Sequence, residues 1–515
     1  MNGARSLLST LVDSDVDVCF ANPGTSEMHF VAALDDVPAM RGVLCLFEGV
    51  VTGAADGYGR VAGRPAATLL HLGPGLGNGL ANLHNARRAR TPVVNVVGDH
   101  ATYHGRYDAP LQSDIASIAG TVSGWYRSSA RADDVAGDAA DAVAAALGPP
   151  GCVATLVLPA DSSWSESATG PCAPRPRGRQ SVVPADTVVE VAKALRSGER
   201  AALLMGGTSL RADGLHAASR VAVATGAALL GETFPANLER GAGIPAVERL
   251  AYLAEMAQAQ LDGVRHLVLV DAKSPVSFFA YPDKASDLVP AGCTVHTLAR
   301  PGEDAAGALE ALAGAVGAPA QGGSPAPSGR PGRPTGALST ESLAAAVGAT
   351  LPEGTIVVDE GNTSGLFIPG ATVGAPRHDW LTLTGGAIGI GLPMATGAAV
   401  AAPERPVLCL QADGSAMYTL QALWTHAREG LNVTTVVLSN RSYAILNMEL
   451  HRVGADAGGP MARRLLDLTD PELDFCGLAR GMGVPARRVE NGEDLVTALE
   501  SGFAEPGPTL IEVPL

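Results

Sequence analysis

Short apolar runs recur along the chain and alternate with longer Ala-rich stretches. The runs lie at residues 92–97, 153–158, 266–270, 355–358, 407–410 and 433–438. Apolar runs of this length, rich in β-branched residues, are typical of strands buried on both faces of a parallel sheet. The stretches between them, such as 185–196 and 340–350, are long enough to form helices. The pattern predicts an α/β fold of doubly wound parallel sheets, whose ligands bind at the carboxyl ends of the strands.

Two stretches interrupt this alternation. Residues 169–180 are rich in Pro and Arg, and residues 317–336 are dense in Pro, Gly and Ser. Neither composition can bury enough apolar surface to offset the entropy lost on ordering, so both are expected to be exposed connectors. A chain of 515 residues also exceeds the size of a single hydrophobic core. We therefore expect three doubly wound domains, at residues 1–168, 181–316 and 337–515.

Bulk composition removes several classes of function. The formal net charge of −16 argues against nucleic-acid binding, which depends on neutralising phosphates with Lys and Arg. Seven scattered cysteines without a CxxC pair fit neither a disulfide framework nor a zinc site, and they suit a reducing compartment. The first residues lack the apolar run of a signal peptide, and no uninterrupted apolar stretch approaches about 18 residues. We therefore expect a cytoplasmic protein with no nucleic-acid partner and no membrane span.

The strongest chemical signal follows two neighbouring strands predicted in the third segment. One strand runs into Asp413-Gly414-Ser415, and the next runs into Asn440. A strand-helix-strand unit brings both strand ends to one edge of a sheet, so Asp413 and Asn440 can converge. Their side-chain oxygens are ligands that Mg²⁺ prefers, and the N–H groups of Gly414 and Ser415 can approach a phosphate at a helix start. On spacing alone, an ordinary strand-helix-strand unit with a capping Asp and a turn Asn is an equal alternative.

These residues resemble the signature of thiamine diphosphate-dependent enzymes. Ala412-Asp413-Gly414-Ser415 followed by Asn440-Arg441 resembles the GDG…NN motif of that family, and residues 385–393 resemble its Gly-rich stretch. Ala412 stands in place of the first Gly and Arg441 in place of the second Asn, but neither change removes a side-chain ligand. The resemblance implies thiamine diphosphate and Mg²⁺ as cofactors.

The resemblance also implies roles for residues of the third segment. Asp413, Asn440 and the carbonyl of Ser442 would hold Mg²⁺. Ile388 would be an apolar wedge beneath the cofactor, bending it so that its amino group reaches the reactive thiazolium carbon. An ordinary core position is the alternative for Ile388. The other cofactor-binding residues would be Asn362, Thr363, Gly386, Gly414, Ser415 and Tyr443.

The first segment resembles the pyrimidine-binding domain of acetohydroxyacid synthases and benzoylformate decarboxylases. The resemblance rests on residues 18–27, on the apolar run that ends at Glu48, and on residues 67–75 around His71. It implies that Glu48 bonds to a ring nitrogen of the cofactor's aminopyrimidine, that His71 relays a proton, and that Thr25 contacts the substrate carboxylate. The alternatives are a surface Glu that caps a helix and a structural His at a strand end.

The middle segment gives weaker signals. Gly206-Gly207 after a predicted strand is weak evidence for a nucleotide site, because every doubly wound fold needs tight turns there. By resemblance this domain binds FAD in the synthases and is empty in the decarboxylases. The Arg-rich pattern that contacts FAD is not seen here, so FAD is not expected. By resemblance, the decarboxylases carry a second active-site histidine near residues 278–281, and this chain has no histidine there. The synthases carry an acceptor-selecting Trp near the position at which this chain has Leu450.

The sequence therefore predicts a thiamine diphosphate- and Mg²⁺-dependent enzyme that acts on a 2-oxo acid. Decarboxylation would end in protonation, or in ligation to a second carbonyl as in an acetolactate synthase. The resemblance implies a homodimer or homotetramer with active sites at subunit interfaces. Two alternatives stay open. One is a 2-hydroxyacyl-CoA lyase or oxalyl-CoA decarboxylase-like enzyme, and the other is a catalytically idle homologue that binds the cofactor or a partner chain.

Overall fold

The computed structural model of the chain describes residues 1–282, 284–323, 325–455 and 459–515. These residues form three sheets in which parallel pairing dominates, and helices connect the strands. The predicted α/β fold with three doubly wound parallel sheets is therefore confirmed. Across the described ranges, no helix combines the length and the hydrophobicity needed to cross a bilayer.

The first sheet is wholly parallel, with strand order β2-β1-β3-β4-β6-β5. Its strands are β1 (Val18–Ala21), β2 (Arg41–Leu44), β3 (Ala66–Leu70), β4 (Val93–Asp99), β5 (Trp125–Ser128) and β6 (Val153–Pro159). Its helices are α1 (Gly3–Asp13), α2 (Met28–Asp36), α3 (Glu48–Ala62), α4 (Leu72–Ala89), α5 (Ile115–Gly120), α6 (Ala132–Leu147) and α7 (Ala160–Trp164). Every residue of β6 is buried, as its apolar run predicts. Because β2, β1 and β3 are neighbours, the residues that follow them share one edge of the sheet.

The second sheet has strand order β10-β8-β7-β11-β12. The strands of this part of the chain are β7 (Ala201–Met205), β8 (Ala228–Gly231), β9 (Leu238–Arg240), β10 (Glu248–Arg249), β11 (His266–Val270) and β12 (Thr294–Ala299). The helices are α8 (Ala185–Leu195), α9 (Ala212–Thr225), α10 (Ala254–Leu261) and α11 (Ala305–Ala315). The order places β7 at the centre, as in a dinucleotide-binding sheet.

The third sheet has strand order β17-β18-β16-β15-β13-β14-β9. Its own strands are β13 (Ile356–Glu360), β14 (His378–Thr382), β15 (Val407–Ala412), β16 (Val433–Ser439), β17 (Ala486–Arg488) and β18 (Thr509–Pro514). The helices are α12 (Thr340–Thr350), α13 (Ile368–Ala371), α14 (Gly391–Ala401), α15 (Asp413–Ala416), α16 (Ala422–Glu429), α17 (Ala444–Arg452), α18 (Pro460–Leu466), α19 (Phe475–Gly481) and α20 (Gly492–Ala504). β13, β15 and β16 lie side by side at its centre.

Two features of the connections were not predicted. The short strand β9 leaves the middle segment and pairs antiparallel with β14, with Leu238 opposite Trp380, so it covers one edge of the third sheet. The second connector was expected to be exposed, but this is wrong at Ala326, which is buried and donates its N–H to the carbonyl of Ile244 at 3.0 Å. Composition alone does not reveal such backbone anchoring. The domain boundaries stay a prediction.

The first and third segments pack closely through α3 and α14. A Cβ at Gly397 would lie 1.8 Å from the carbonyl oxygen of Ala54, and one at Gly57 would lie 2.2 Å from that of Met394. Glycine at these positions lets the two helix backbones approach each other more closely than any side chain would permit. This contact fixes the Gly-rich stretch before α14 against the first segment.

Candidate active site

Residues at the carboxyl ends of β13, β15 and β16 converge. Asp413 follows β15, Asn440 follows β16, and a 3₁₀ turn that begins at Asn362 follows β13. The Asn362 Nδ2 donates to Ser415 Oγ at 3.1 Å, and the Asn440 Nδ2 donates to Ser364 Oγ at 3.1 Å. Adjacent parallel strands deliver their ends to one edge, so the predicted site residues Asn362, Asp413, Asn440 and Ser415 are brought together.

Asp413 carries a buried carboxylate held by backbone donors. Its Oδ1 accepts from the N–H of Gly414 at 2.7 Å, and its Oδ2 accepts from the N–H of Arg441 at 2.6 Å. Burial raises the pKa of Asp413, and these backbone hydrogen bonds only oppose that shift. No cationic side chain among the described residues contributes to lowering this pKa. A buried carboxylate is costly without a positive partner, so the site favours a bound cation.

The oxygen donors around Asp413 fit Mg²⁺ better than zinc. No group of three or more His, Cys, Asp or Glu side chains in the described ranges could hold a metal. What is present is one carboxylate, the Oδ1 of Asn440, which accepts from the N–H of Ser442 at 3.0 Å, and nearby backbone carbonyls. Mg²⁺ accepts such a sparse oxygen set because water and phosphate oxygens complete its octahedron, whereas zinc sites use Cys and His. The metal roles of Asp413, Asn440 and Ser442 stay a prediction.

Tyr443 closes one side of this cluster. A Cβ at Gly414 would lie 2.5 Å from Cε1 of Tyr443, so the ring packs directly against Gly414 and a larger residue there would displace it. The N–H of Tyr443 donates to the carbonyl of Leu466 at 2.9 Å, and Asn447 Nδ2 donates to Ser442 Oγ at 2.9 Å. The segment that carries Ser442 and Tyr443 is thus held by α17 and α18.

The Gly-rich stretch brings Ile388 to the boundary between the first and third segments. Gly386 has a φ of +74° and is exposed, which suits glycine. Ile388 is half-buried and packs against the core that both segments share. The neighbouring Ala387 carbonyl accepts from Asn85 Nδ2 at 2.8 Å. Thr363 is half-buried in the turn after β13. The wedge role and the ordinary core role of Ile388 both agree with this placement.

The predicted catalytic residues lie together at the edge formed by β2, β1 and β3. Thr25 begins the turn after β1 and is exposed, Glu48 is the first residue of α3, and His71 immediately precedes α4. Glu48 is 7% exposed, and its Oε2 accepts from Asn78 Nδ2 at 3.0 Å. A Cβ at Gly75 would lie 3.2 Å from Glu48 Oε1 and 3.3 Å from His71 Cβ, so both side chains rest against the same glycine. The alternative to a catalytic role was a surface Glu at the start of a helix. Glu48 does begin a helix, but it is buried and not at the surface.

Glu27 belongs to this cluster and was not predicted. Its side chain is 1% exposed, and its Oε2 lies 2.8 Å from His71 Nδ1. The same oxygen accepts from the N–H of Gly24 at 2.7 Å, while Oε1 accepts from Ser26 Oγ at 2.7 Å. The available signal was the spacing from Gly24 to Glu27, because a Glu three residues after the start of a turn can accept from the backbone N–H there.

The turn Gly206-Gly207 in the second sheet is occupied by carboxylates of the chain. Asp271 Oδ2 accepts from the N–H of Thr208 at 2.9 Å, and Arg90 of the first segment pairs with Asp271. Glu232 Oε1 accepts from the N–H of Gly207 at 3.2 Å. These donors, which a nucleotide phosphate would need, are therefore already bonded within the chain.

An aromatic cluster forms around Phe278 of the middle segment. The ring centroid of Phe278 is 5.3 Å from that of Phe234 and 4.9 Å from that of Tyr252. Phe234 packs against the same core as Ile388. The cluster therefore lies against the core that the first and third segments share.

Comparison with known proteins places these two edges in one family. Residues 1–118 match the N-terminal TPP binding domain of thiamine pyrophosphate enzymes, and residues 359–513 match the C-terminal TPP binding domain. Thiamine pyrophosphate is another name for thiamine diphosphate. Together the two matches cover both of the edges described above.

Similar proteins extend along the full chain. A Mycobacterium tuberculosis protein, IlvX, provisionally named an acetolactate synthase large subunit, is 64% identical over 100% of this chain and 99% of its own length. The benzoylformate decarboxylase of Pseudomonas aeruginosa is 31% identical over 96% of this chain and 95% of its own. The structure of a thiamine diphosphate-dependent 4-hydroxybenzoylformate decarboxylase from Rhodococcus jostii superposes with a TM-score of 0.86 at 24% identity, covering 100% and 99% of the two chains. The chain belongs to the family of thiamine pyrophosphate-dependent enzymes.

Proposed function

We propose that this enzyme uses thiamine diphosphate and Mg²⁺ to decarboxylate a 2-oxo acid, followed by protonation or by ligation to a second carbonyl. The observation that carries the metal assignment is the buried carboxylate of Asp413, which accepts from two backbone N–H groups and, among the described residues, forms no salt bridge with a cationic side chain. In the proposal Asp413, Asn440 and the Ser442 carbonyl hold Mg²⁺. The cofactor-binding residues are Asn362, Thr363, Gly386, Ile388, Gly414, Ser415 and Tyr443.

The bound cofactor would supply a nucleophilic thiazolium carbon and would accept the electron pair that is left behind when CO₂ departs. The chain supplies orientation and proton traffic. Glu48, held by Asn78 at 3.0 Å, bonds to the aminopyrimidine ring. His71 presents Nδ1 to the Glu27 carboxylate, so Nδ1 carries a proton and Nε2 is free to accept or give one. Thr25, exposed at the same edge, contacts the substrate carboxylate.

A second copy of the chain would complete the site. Large apolar side chains stand exposed near the edge that carries Asp413: Leu366 is 71% exposed, Phe367 48% and Tyr418 53%. Large apolar side chains exposed along one edge of a sheet are typical of surfaces that another chain covers. We propose a homodimer, or a tetramer of two such dimers, in which the Glu48 edge of one chain faces the Asp413 edge of its partner.

The test begins with binding. Thiamine diphosphate with Mg²⁺ at 100 times Kd stabilises a fold by about 2.7 kcal/mol, which a thermal shift detects. Asp413→Ala should lose the Mg²⁺-dependent part of this shift, whereas Glu404→Ala, which removes an exposed carboxylate of the same segment, should keep it. A missing shift in the parent enzyme would refute the proposal.

Reaction type is settled by a substrate panel. Pyruvate, branched and aromatic 2-oxo acids are each incubated with the loaded enzyme, and CO₂ and products are read by mass spectrometry. An aldehyde product indicates protonation, and a hydroxy-ketone product indicates ligation. Cofactor binding without CO₂ release from any substrate would instead support an idle homologue.

A further inference from the structure

A buried carboxylate lies directly behind the Gly-rich stretch and has no role in the chemistry described so far. Glu360 is the last residue of β13 and is 1% exposed. Its Oε1 accepts from the N–H of Gly389 at 2.6 Å, and its Oε2 accepts from the N–H of Gly391 at 2.7 Å. One side chain therefore holds two peptide groups just after Ile388.

Gln411 completes the arrangement from the next strand. It is opposite Glu360 in the β13–β15 register and is fully buried. Its Nε2 donates to Glu360 Oε2 at 2.9 Å. Burial raises the pKa of Glu360, and hydrogen bonds from Gln411 and from the backbone of Gly391 and Gly389 work against that shift. A carboxylate suits this place because both of its oxygens accept, whereas an amide would turn its NH₂ towards one of the N–H donors.

Other contacts hold the opposite side of the same stretch. The Gly389 carbonyl accepts from Thr419 Oγ1 at 2.9 Å, and the Ala387 carbonyl accepts from Asn85 Nδ2 at 2.8 Å. Gly389 has a φ of +89°, and a Cβ there would lie 2.5 Å from Cβ of Tyr418. The peptide groups on both sides of Ile388 are thus fixed, while its side chain stays half-buried at the boundary between the segments.

We propose that Glu360 is a positioning residue that sets the place of Ile388 beneath the cofactor. Glu360 itself touches no substrate or cofactor in this account and acts through the peptide groups of Gly389 and Gly391. The inference rests on the proposed function, because only a bound cofactor gives Ile388 something to support. Its effect should therefore fall on the geometry of the bound cofactor and not on the metal and diphosphate ligands.

The test compares Glu360→Gln with Val357→Ala. Val357 lies in the same strand, fully buried in a different core cluster from Ile388, so its variant reports loss of strand stability alone. Three quantities are measured: amide hydrogen exchange of residues 385–391 in the cofactor-free protein, the Kd of thiamine diphosphate with Mg²⁺, and deuterium exchange at the thiazolium carbon of the saturated enzyme. The first of these needs no cofactor at all.

Glu360→Gln should speed amide exchange across residues 385–391 and slow exchange at the thiazolium carbon by about tenfold or more, because a shift of about 1 Å in a catalytic position costs up to 10²-fold in rate. The Kd should change far less, and Val357→Ala should resemble the parent in all three. If Glu360→Gln does not fold, Glu360→Asp replaces it, since Asp keeps both oxygens but withdraws them by one methylene.

Three results would overturn the inference. Carbon exchange at the parental rate in Glu360→Gln would remove the positioning role. An equal loss in Val357→Ala would make the effect one of stability. A rise in Kd as large as the fall in carbon exchange would make Glu360 a residue for binding only. A different result would contradict the proposed function itself. In that case the unmutated enzyme would neither bind thiamine diphosphate nor accelerate deuterium exchange at the thiazolium carbon.

Discussion

His71 Nδ1 lies 2.8 Å from an Oε atom of Glu27, a side chain that is 1% exposed. Glu27 also accepts from Ser26 and from the backbone of Gly24, so its carboxylate is held from three sides. A fixed carboxylate determines which ring nitrogen of a histidine carries the proton and where the other nitrogen points. In the proposed function, the proton relay therefore depends on a pair of residues.

Glu27→Gln should lower kcat by about 10- to 100-fold, less than the full contribution of a general acid–base group, because the ring keeps its place but loses its charged partner. The Kd of thiamine diphosphate should stay unchanged. Steady-state kinetics on Glu27→Gln, His71→Ala and the double variant check this as a cycle. The loss from Glu27→Gln should largely disappear in the His71→Ala background, and a loss of equal size there would show that Glu27 acts independently of His71.

Arg60 should be one of the most costly side chains to remove. It is 1% exposed, pairs with the buried Asp56, and donates to the carbonyl of Thr382 at 2.6 Å, so it joins the first segment to the third. Arg60→Ala leaves a buried charge without its partner and should reduce the free energy of unfolding by about 3–5 kcal/mol.

Arg64 provides the matched control for Arg60. It pairs with Asp17 at 2.7 Å, but the two side chains are 32% and 45% exposed. Arg64→Ala should therefore cost only about 0–1 kcal/mol in the same denaturant titration. Equal losses for the two variants would contradict the importance assigned to the buried junction.

Glu232 should make stability depend on pH. Burial raises its pKa from 4.5 to about 7, so the folded state retains a proton that the unfolded state releases. Stability that is present below pH 4.5 is then lost as the pH rises to about 7, with no further loss from this group above that value.

Glu232→Gln removes this titration while keeping an acceptor for the N–H of Gly207. Between pH 5 and pH 8, the variant should gain about 1–2 kcal/mol of unfolding free energy relative to the parent. Denaturant titrations at the two pH values measure the difference. Glu353→Gln, at an exposed position, should show no such gain, and parallel pH curves for Glu232→Gln and the parent would contradict the assignment.

The sequence predicted what depends on pattern and on strand ends. The run at 433–438 became β16, residues 340–350 became α12, and Asp413 and Asn440 met at one edge because parallel strands bring their ends together. Such features are local, or follow from the topology that the pattern implies.

Residues that act through contacts distant in sequence escaped prediction. Glu360 ends an apolar run and looks like a strand-end carboxylate, and only the fold shows it behind Gly389 and Gly391, about thirty positions away. Strand β9 has no apolar run that would predict it. It is extended because it pairs with β14, which is distant in sequence. Glu27 carried only a weak capping pattern, and its value lies in its contact with His71.

Co-expression of Glu48→Gln with Asp413→Ala tests most directly the proposal that Glu48 of one chain and Asp413 of another serve the same cofactor. Each variant alone should be inactive. In a mixed dimer one of the two sites would combine both altered residues and the other would carry neither, so a random mixture should regain about a quarter of the parental CO₂ release. Activity no higher than that of either variant, in a preparation shown to contain mixed dimers, would contradict the claim.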